Sequence, residues 1–496
     1  MKTKLTKLLC LLMAGLILLS GLVACGNTNE GTEDKNSGES VTEGETADPV
    51  QAALDDLGDI DYGGRDFNVL YGGAQKEENY GVNETVDKDG GASQIINDAV
   101  YERNTLLEER CNLVYGNIEG DVQNMARTEA SAPTGDFQFM DTTLRDSAAL
   151  ATNGYLYDFN ALGVDLNGEW WDSGTANFVL ADGVYFMTGS ANTRDDGVTY
   201  VLIFNKDLRK TYSETVPNPY DTVKAWEWTL DHFNTVIQGI SNDNGDGKWD
   251  ELDTYGFINT WEYGNTFFLA SDLRYVINDE TVDYPELFLA SSSNMEKALN
   301  VLELSRAIYH NNNASFMSPP GEEGKGLTAF KEGRGLFYGE VAQYLSTLNR
   351  EMTEGNYGVL PVPKYDKAQE FYRTWTHDSG SAFSVTSAIP EKDAEVIGQI
   401  MSAYAILSHQ KLKPAYYDTM LKSRGVQDAE SAEILDLIFQ NRVYDLAFYF
   451  DLGFYDVFKS NVNNKNSEKF ASSYSSAAKG FDRKLKSILR KLEKDN

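Results

Sequence analysis

The chain has 496 residues, a formal net charge of −33 and an aromatic content of 12%. Such an acidic excess argues against nucleic acid and anionic lipid as partners of the folded surface. The length implies more than one domain, and three cysteines (Cys10, Cys25 and Cys111) are too few for a disulfide framework.

The first element is a targeting segment. Lys2, Lys4 and Lys7 precede an apolar run over residues 8–19, and Leu22, Val23, Ala24 and Cys25 follow. The pattern is that of a secretory signal, too short and wrongly flanked for a stable membrane-spanning helix. Residues 22–25 resemble the lipobox of bacterial lipoproteins. That resemblance implies removal of residues 1–24 and a lipid on the Cys25 sulfur, anchoring the protein to the extracellular face of the cell membrane. A plain signal peptide with a chance cysteine is the other reading. Residues 26–49 are Gly, Asn, Thr, Ser and Glu with almost no apolar side chain. They cannot bury enough surface to offset their ordering entropy. A disordered acidic tether over residues 25–63 is expected.

Cys111 is then the one cysteine of the folded part. Nothing near it in sequence marks a base, so it reads as a small buried hydrophobe. The folded part begins with a strand over 66–71 closing in Gly72 and Gly73, either of which could offer a backbone N–H to a ligand. A helix capped by Ser93 runs to 110, a strand over 113–118, a helix over 125–132 and a strand over 137–140. Strand and helix in alternation indicate a mostly parallel sheet with helices on its faces. A loop carries Trp170, Trp171 and Asp172. Residues 178–187 read as a hairpin turning at Asp182 and Gly183. Further strands are expected at 198–204, 255–258, 336–338 and 357–361, with helices at 205–212, 228–240 and 294–309. From Glu391 onward the pattern is nearly all helical.

Six stretches resemble, in order, the bacterial extracellular solute-binding proteins that serve sugar ABC importers (family 1 type, similar to maltose-binding proteins). They are NGYLYD at 153–158, LADGVYF at 180–186, YVLIFNKDL at 200–208, WEWTLD at 226–231, AFKEGRGLF at 329–337 and YGVLPVP at 357–363. The resemblance implies an α/β, two-lobed periplasmic-binding-protein-like fold with a hinge, an interlobe cleft and a helical C-terminal part. It places lobe 1 at 64–200 and 338–382, and lobe 2 at 201–337 and 383–496. It also implies a monomer that captures a carbohydrate by hinge closure and delivers it unchanged to ABC permease subunits.

Residues 242–253 match a twelve-residue calcium loop. Asn242, Asn244, Asp246, Lys248 (through its carbonyl), Asp250 and Asp253 stand at ligand positions, with Gly247 at the sharp turn. Asn at the first position and Asp at the twelfth depart from the strongest form. A structural calcium ion is set against a metal-free Asx turn; no other cofactor is expected.

A sugar presents flat C–H faces and a rim of hydroxyls, which call for aromatic rings and for Asp, Glu and Arg. Trp171, Trp261, Tyr338 and Trp375 are the stacking candidates. Arg145, Asp141, Glu340 and Asp378 are the polar ones. Trp375 and Asp378 stand out because they lie where the chain re-enters the hinge. Each has a plain alternative as core cover or solvated charge. No Gly-x-Ser-x-Gly elbow occurs, and the four histidines lack zinc spacing. A non-enzymatic binder is therefore expected. A peptide or anion binder on the same fold is the alternative, and a secreted glycoside hydrolase with paired carboxylates a more distant one.

Overall fold

Strand β1 (Arg65–Tyr71) buries Phe67, Val69, Leu70 and Tyr71 almost in succession, as a strand covered on both faces must. The computed structural model describes residues 48–72, 94–172, 174, 178–191, 193–279, 281, 282, 284–310, 313–352, 357–423, 426 and 428–495. Cys10, Cys25, most of the expected tether, Gly73 and Ser93 lie outside them.

Sheet one takes β1 with β2 (Leu113–Glu119), β3 (Phe139–Thr143), β4 (Phe186–Met187) and β13 (Ser381–Val385), in the order β2-β1-β3-β13-β4. β1 runs parallel to β2 and β3, and β13 antiparallel to β3 and β4. Sheet two takes β5 (Tyr200–Asn205), β6 (Tyr255–Thr260), β9 (Ser315–Ser318), β10 (Gly335–Val341) and β11 (Tyr357–Leu360), in the order β11-β5-β10-β6-β9. Two short pairs complete the set: β7 (Val276–Ile277) with β8 (Glu286–Leu287), and β12 (Thr374–Trp375) with β14 (Arg442–Val443).

Short polar residues start the helices that follow the strands. Thr143 accepts from Asp146 N at 3.0 Å, Asn205 from Leu208 N at 2.8 Å and Asp121 from Asn124 N at 3.1 Å, each satisfying an N–H that the helix itself cannot pair. The Ala394–Lys413 helix packs on the Gln94–Cys111 helix beside sheet one. The Val457–Asn463 helix packs on Gly264–Ala270 and Ser292–Tyr309 beside sheet two, while Phe470–Asp495 reaches back to Leu144–Thr152. The helical C-terminal part therefore touches both halves.

Three expectations are corrected. The tether stops short of residue 63. Pro49–Asp56 is a helix, and Val50, Leu54, Ile60 and Tyr62 enter the core of sheet one with Phe67 and Cys111. Four apolar side chains spaced over thirteen residues suffice to order the segment. The strand pairing also exchanges parts of the expected lobes. Residues 338–341 and 357–360 pair with β5 in sheet two, and 381–385 pair with β3 in sheet one. Long-range pairing rather than local pattern decides which sheet a short apolar strand joins. Finally, the hairpin expected over residues 178–187 is reduced to its turn, closed by a single antiparallel bridge between Leu180 and Gly183. Ala181 and Asp182, both at positive φ, make a tight turn between Leu180 and Gly183, but β4 then pairs with β13.

The two sheets meet where the chain crosses between them. Thr199 and Thr376 form an antiparallel bridge, with their hydroxyls 3.2 Å apart. His377 N donates to Val198 O at 3.1 Å, and Ala342 N to Thr199 O at 2.9 Å.

Candidate functional site

The crossing carries a cluster of aromatic and charged side chains. Tyr200 opens β5 and Trp375 closes β12. Their rings stack at 5.1 Å with 14° between planes. Trp375 is fully buried, with Phe448 at 5.1 Å and His377 at 5.2 Å. Next along the chain, Asp378 pairs with Arg145, the second residue of the helix after β3. Arg145 N also donates to Asp378 O at 3.2 Å. The Arg145 guanidinium lies over the Tyr455 ring, 4.9 Å from its centroid.

Across the site, Lys459 donates to both carboxylate oxygens of Glu262, at 2.9 and 2.7 Å. Lys459 also lies over Tyr455, at 4.6 Å. Ser379 N lies 3.1 Å from His377 Nδ1, Asp378 Oδ1 lies 3.0 Å from the same nitrogen, and Nε2 lies 3.4 Å from Tyr455 OH. Burial pushes His377 down to about 4, so the ring is neutral. Burial likewise raises Asp378 to about 6, against the pull of Arg145. On β10, burial lifts Glu340 to about 7; its Oε1 accepts from Val341 N at 3.0 Å. Gly339 beside it is constrained: a Cβ there would stand 2.7 Å from the Tyr263 ring.

A cavity of about 780 Å³ opens here, lined by Arg145 from the sheet-one side and by Phe448, Tyr449, Tyr455, Lys459 and Asn461 of the C-terminal part. Its cations are paired with carboxylates, and its lining includes the aromatic residues Phe448, Tyr449, Phe450 and Tyr455. Such a lining suits an uncharged, hydroxyl-rich ligand.

Solved structures share this architecture. The GacH receptor of Streptomyces glaucescens, solved unliganded and with acarbose, matches over 85% of this chain and 99% of its own, with a TM-score of 0.52 and 13% identity. The ABC substrate-binding protein Lmo0181 of Listeria monocytogenes, in complex with cycloalternan, matches over 84% and 99%, at 0.51 and 12%. The galacto-N-biose-/lacto-N-biose I-binding protein of the Bifidobacterium longum ABC transporter, with lacto-N-biose, matches over 87% and 98%, at 0.51 and 13%. The chain has the two-lobed periplasmic-binding-protein fold. No protein-family model and no curated protein sequence matches it.

Within this fold, Arg145, Trp375 and Asp378 of the sequence candidates come together. Trp261, half-buried, sits at the edge of the same cluster, where its carbonyl accepts from Asn463 Nδ2 at 3.0 Å. Glu340 stands on β10 opposite Val201, the residue after Tyr200. Tyr338 is 1% exposed and stacked on Phe330 in the core of sheet two. Asp141 is buried on β3, between Tyr71 and Phe383. Trp171 lies against Gly189, in a second cavity that shares no lining residue with the first.

Sequence reasoning missed Tyr200, Glu262, His377, Tyr455 and Lys459. The neighbours of Trp261 and Trp375 hinted at Glu262 and His377. The i, i+4 pair Tyr455 and Lys459 lies in the C-terminal part that the sequence marked only as helical.

In the 242–253 loop, Asp253 is 1% exposed and spends its two oxygens on Asn244 N and Asp250 N, each at 2.8 Å. Among the described residues, no three His, Cys, Asp or Glu side chains gather as a metal cage. As folded, the loop is a string of Asx turns around Gly247, at φ +74°.

Proposed function

We propose that this protein is the extracellular binding component of an ABC importer, which captures a sugar or oligosaccharide in the cavity at the crossing and passes it on unchanged. The observation that carries the reading is the 780 Å³ cavity, walled by aromatic rings and charge-balanced by the Arg145–Asp378 and Lys459–Glu262 pairs. The sugars held by the matching structures point the same way. Trp261 would cover a sugar face, Arg145, Glu262 and Asp378 would take hydroxyls, and the Tyr455 ring would hold Arg145 and Lys459 in place. Trp375 and Tyr200 would brace them from below. Bending at the Thr199–Thr376 crossing would close the halves on the ligand.

A thermal-shift screen over mono- and oligosaccharides tests this. A true ligand raises the melting temperature and is recovered uncut. Trp261→Ala should weaken it by about 2 kcal/mol, some 30-fold. Cleavage of the oligosaccharide, or stabilisation by peptides alone, would overturn the reading.

Two further proposals concern Cys25 and the 242–253 loop. Cys25 carries the lipid that holds the protein at the membrane, which mass spectrometry of the mature N-terminal peptide checks. The 242–253 loop takes calcium on the spacing of its oxygen side chains, at the cost of the two backbone bonds that Asp253 now accepts. A melting temperature that is the same in calcium and in chelator would dismiss it.

A further inference from the structure

The second cavity has a chemistry of its own. It measures about 400 Å³ and brings residues 169–172, 189, 190, 193 and 196 against residues 413–417 and 436–442. Its walls are aromatic, with Trp170, Trp171, Tyr416, Tyr417 and Phe439 all facing it. Trp170 is 6% exposed, and its Nε1 is buried without a hydrogen-bond partner. Gly189 makes the close approach possible. It holds φ +147°, and a Cβ there would meet Trp170 O at 2.3 Å.

The polar side of the cavity is short of positive charge. Arg442 pairs with three carboxylates at once: Asp172, Asp195 at 3.1 Å and Asp196 at 2.7 Å. Asp172 is also held by Thr188 Oγ1 and Tyr444 OH, both at 2.8 Å. Lys413 stands exposed at the rim, and its charge favours the ionised form of Asp196. Glu169, also at the rim, adds another negative charge. Burial and mutual repulsion hold Asp195 well above the usual carboxylate range, and burial lifts Asp196 to about 6. A proton thus fills part of the place that a second cation would take.

We propose that this cavity binds a small organic ammonium compound, with its nitrogen at Asp196 and its carbon frame against the aromatic walls. Acidic side chains supply the charge and the ring faces add cation–π attraction. The proposal does not rest on the sugar reading, because the two cavities share no lining residue.

Calorimetry with putrescine, choline and glucosamine tests it, with 1,4-butanediol and glucose as the uncharged counterparts. At least one ammonium probe should bind one to one at pH 7.5 where its counterpart does not bind this cavity. Its affinity should fall by at least about fourfold at pH 5.5, as Asp196 takes up its proton. Asp196→Asn should cut affinity at least tenfold while leaving saccharide binding intact, and Trp261→Ala should leave the amine untouched. Glu169→Gln, at the exposed rim, should weaken it a few-fold and serves if the buried variant does not fold. No binding by any of the three at millimolar concentration overturns the proposal. So does amine binding that ignores both carboxylate variants, or that disappears with Trp261→Ala.

Discussion

Glu340 keeps a carboxyl where water does not reach, and that fixes how stability responds to pH. Its folded value of about 7 lies above the ordinary 4.5. The native state therefore holds a proton that the unfolded chain releases between those values, and stability falls as pH rises through that window. Glu340→Gln preserves the bond from Val341 N and removes the ionisation. In urea titrations the variant should be more stable than the parent by about 1–3 kcal/mol at pH 8, at roughly 1.4 kcal/mol per pKa unit. The gain should shrink toward pH 5. His377 works in the opposite sense. Lowered to about 4, it gives stability that is present above its unfolded value of 6.5 and lost as pH falls through 4. At this scale the sequence was legible where neighbours in the chain are neighbours in space, as with Trp375 and Asp378. It was opaque where partners lie far apart, as Tyr455 does from Arg145, because nothing local records which helix will lie across the cavity.

The Pro49–Asp56 helix shows the same limit for an element. Its polar exterior continues the composition of the segment before it, while Val50 and Leu54 are buried against the Ala394–Lys413 helix, about 350 residues on. Removing residues 25–47 should leave the melting temperature unchanged. Removing 25–63 should lower it by several degrees, and Leu54→Ala should cost about 2–4 kcal/mol; differential scanning calorimetry reads all three. The strands over 113–119, 200–205, 255–260 and 357–360 were legible because runs of β-branched and aromatic residues between turn signals have few other uses. Which sheet each joined was not, since β10, β11 and β13 are equally apolar. Among the short elements, β14 matters out of proportion to its two residues. It ties Arg442 to the crossing through β12. Arg442→Met strands three carboxylates around a lost cation, so it should cost about 3–5 kcal/mol at pH 7. Acidification toward pH 5 should recover part of this, as seen in thermal melts across pH.

At the scale of the whole molecule, two sheets are joined by a narrow crossing, and the C-terminal helices lean on both. The fold class and its two halves could be read from the order of six short stretches, though each stretch alone is weak. If the halves bend at Thr199 and Thr376, the radius of gyration in small-angle scattering should fall when a saccharide ligand is added. An unchanged profile with a confirmed ligand would count against hinge closure. The stacked pair of Tyr200 and Trp375 sits at the centre of that motion. Its indole is sealed from solvent and flanked by an imidazole, a phenol and a phenyl ring from separate stretches of the backbone. Those neighbours govern how an excited indole loses its energy, so a small change in their spacing alters brightness and colour. If the halves close on a ligand, the intrinsic emission should therefore change as it is added, with no dye attached.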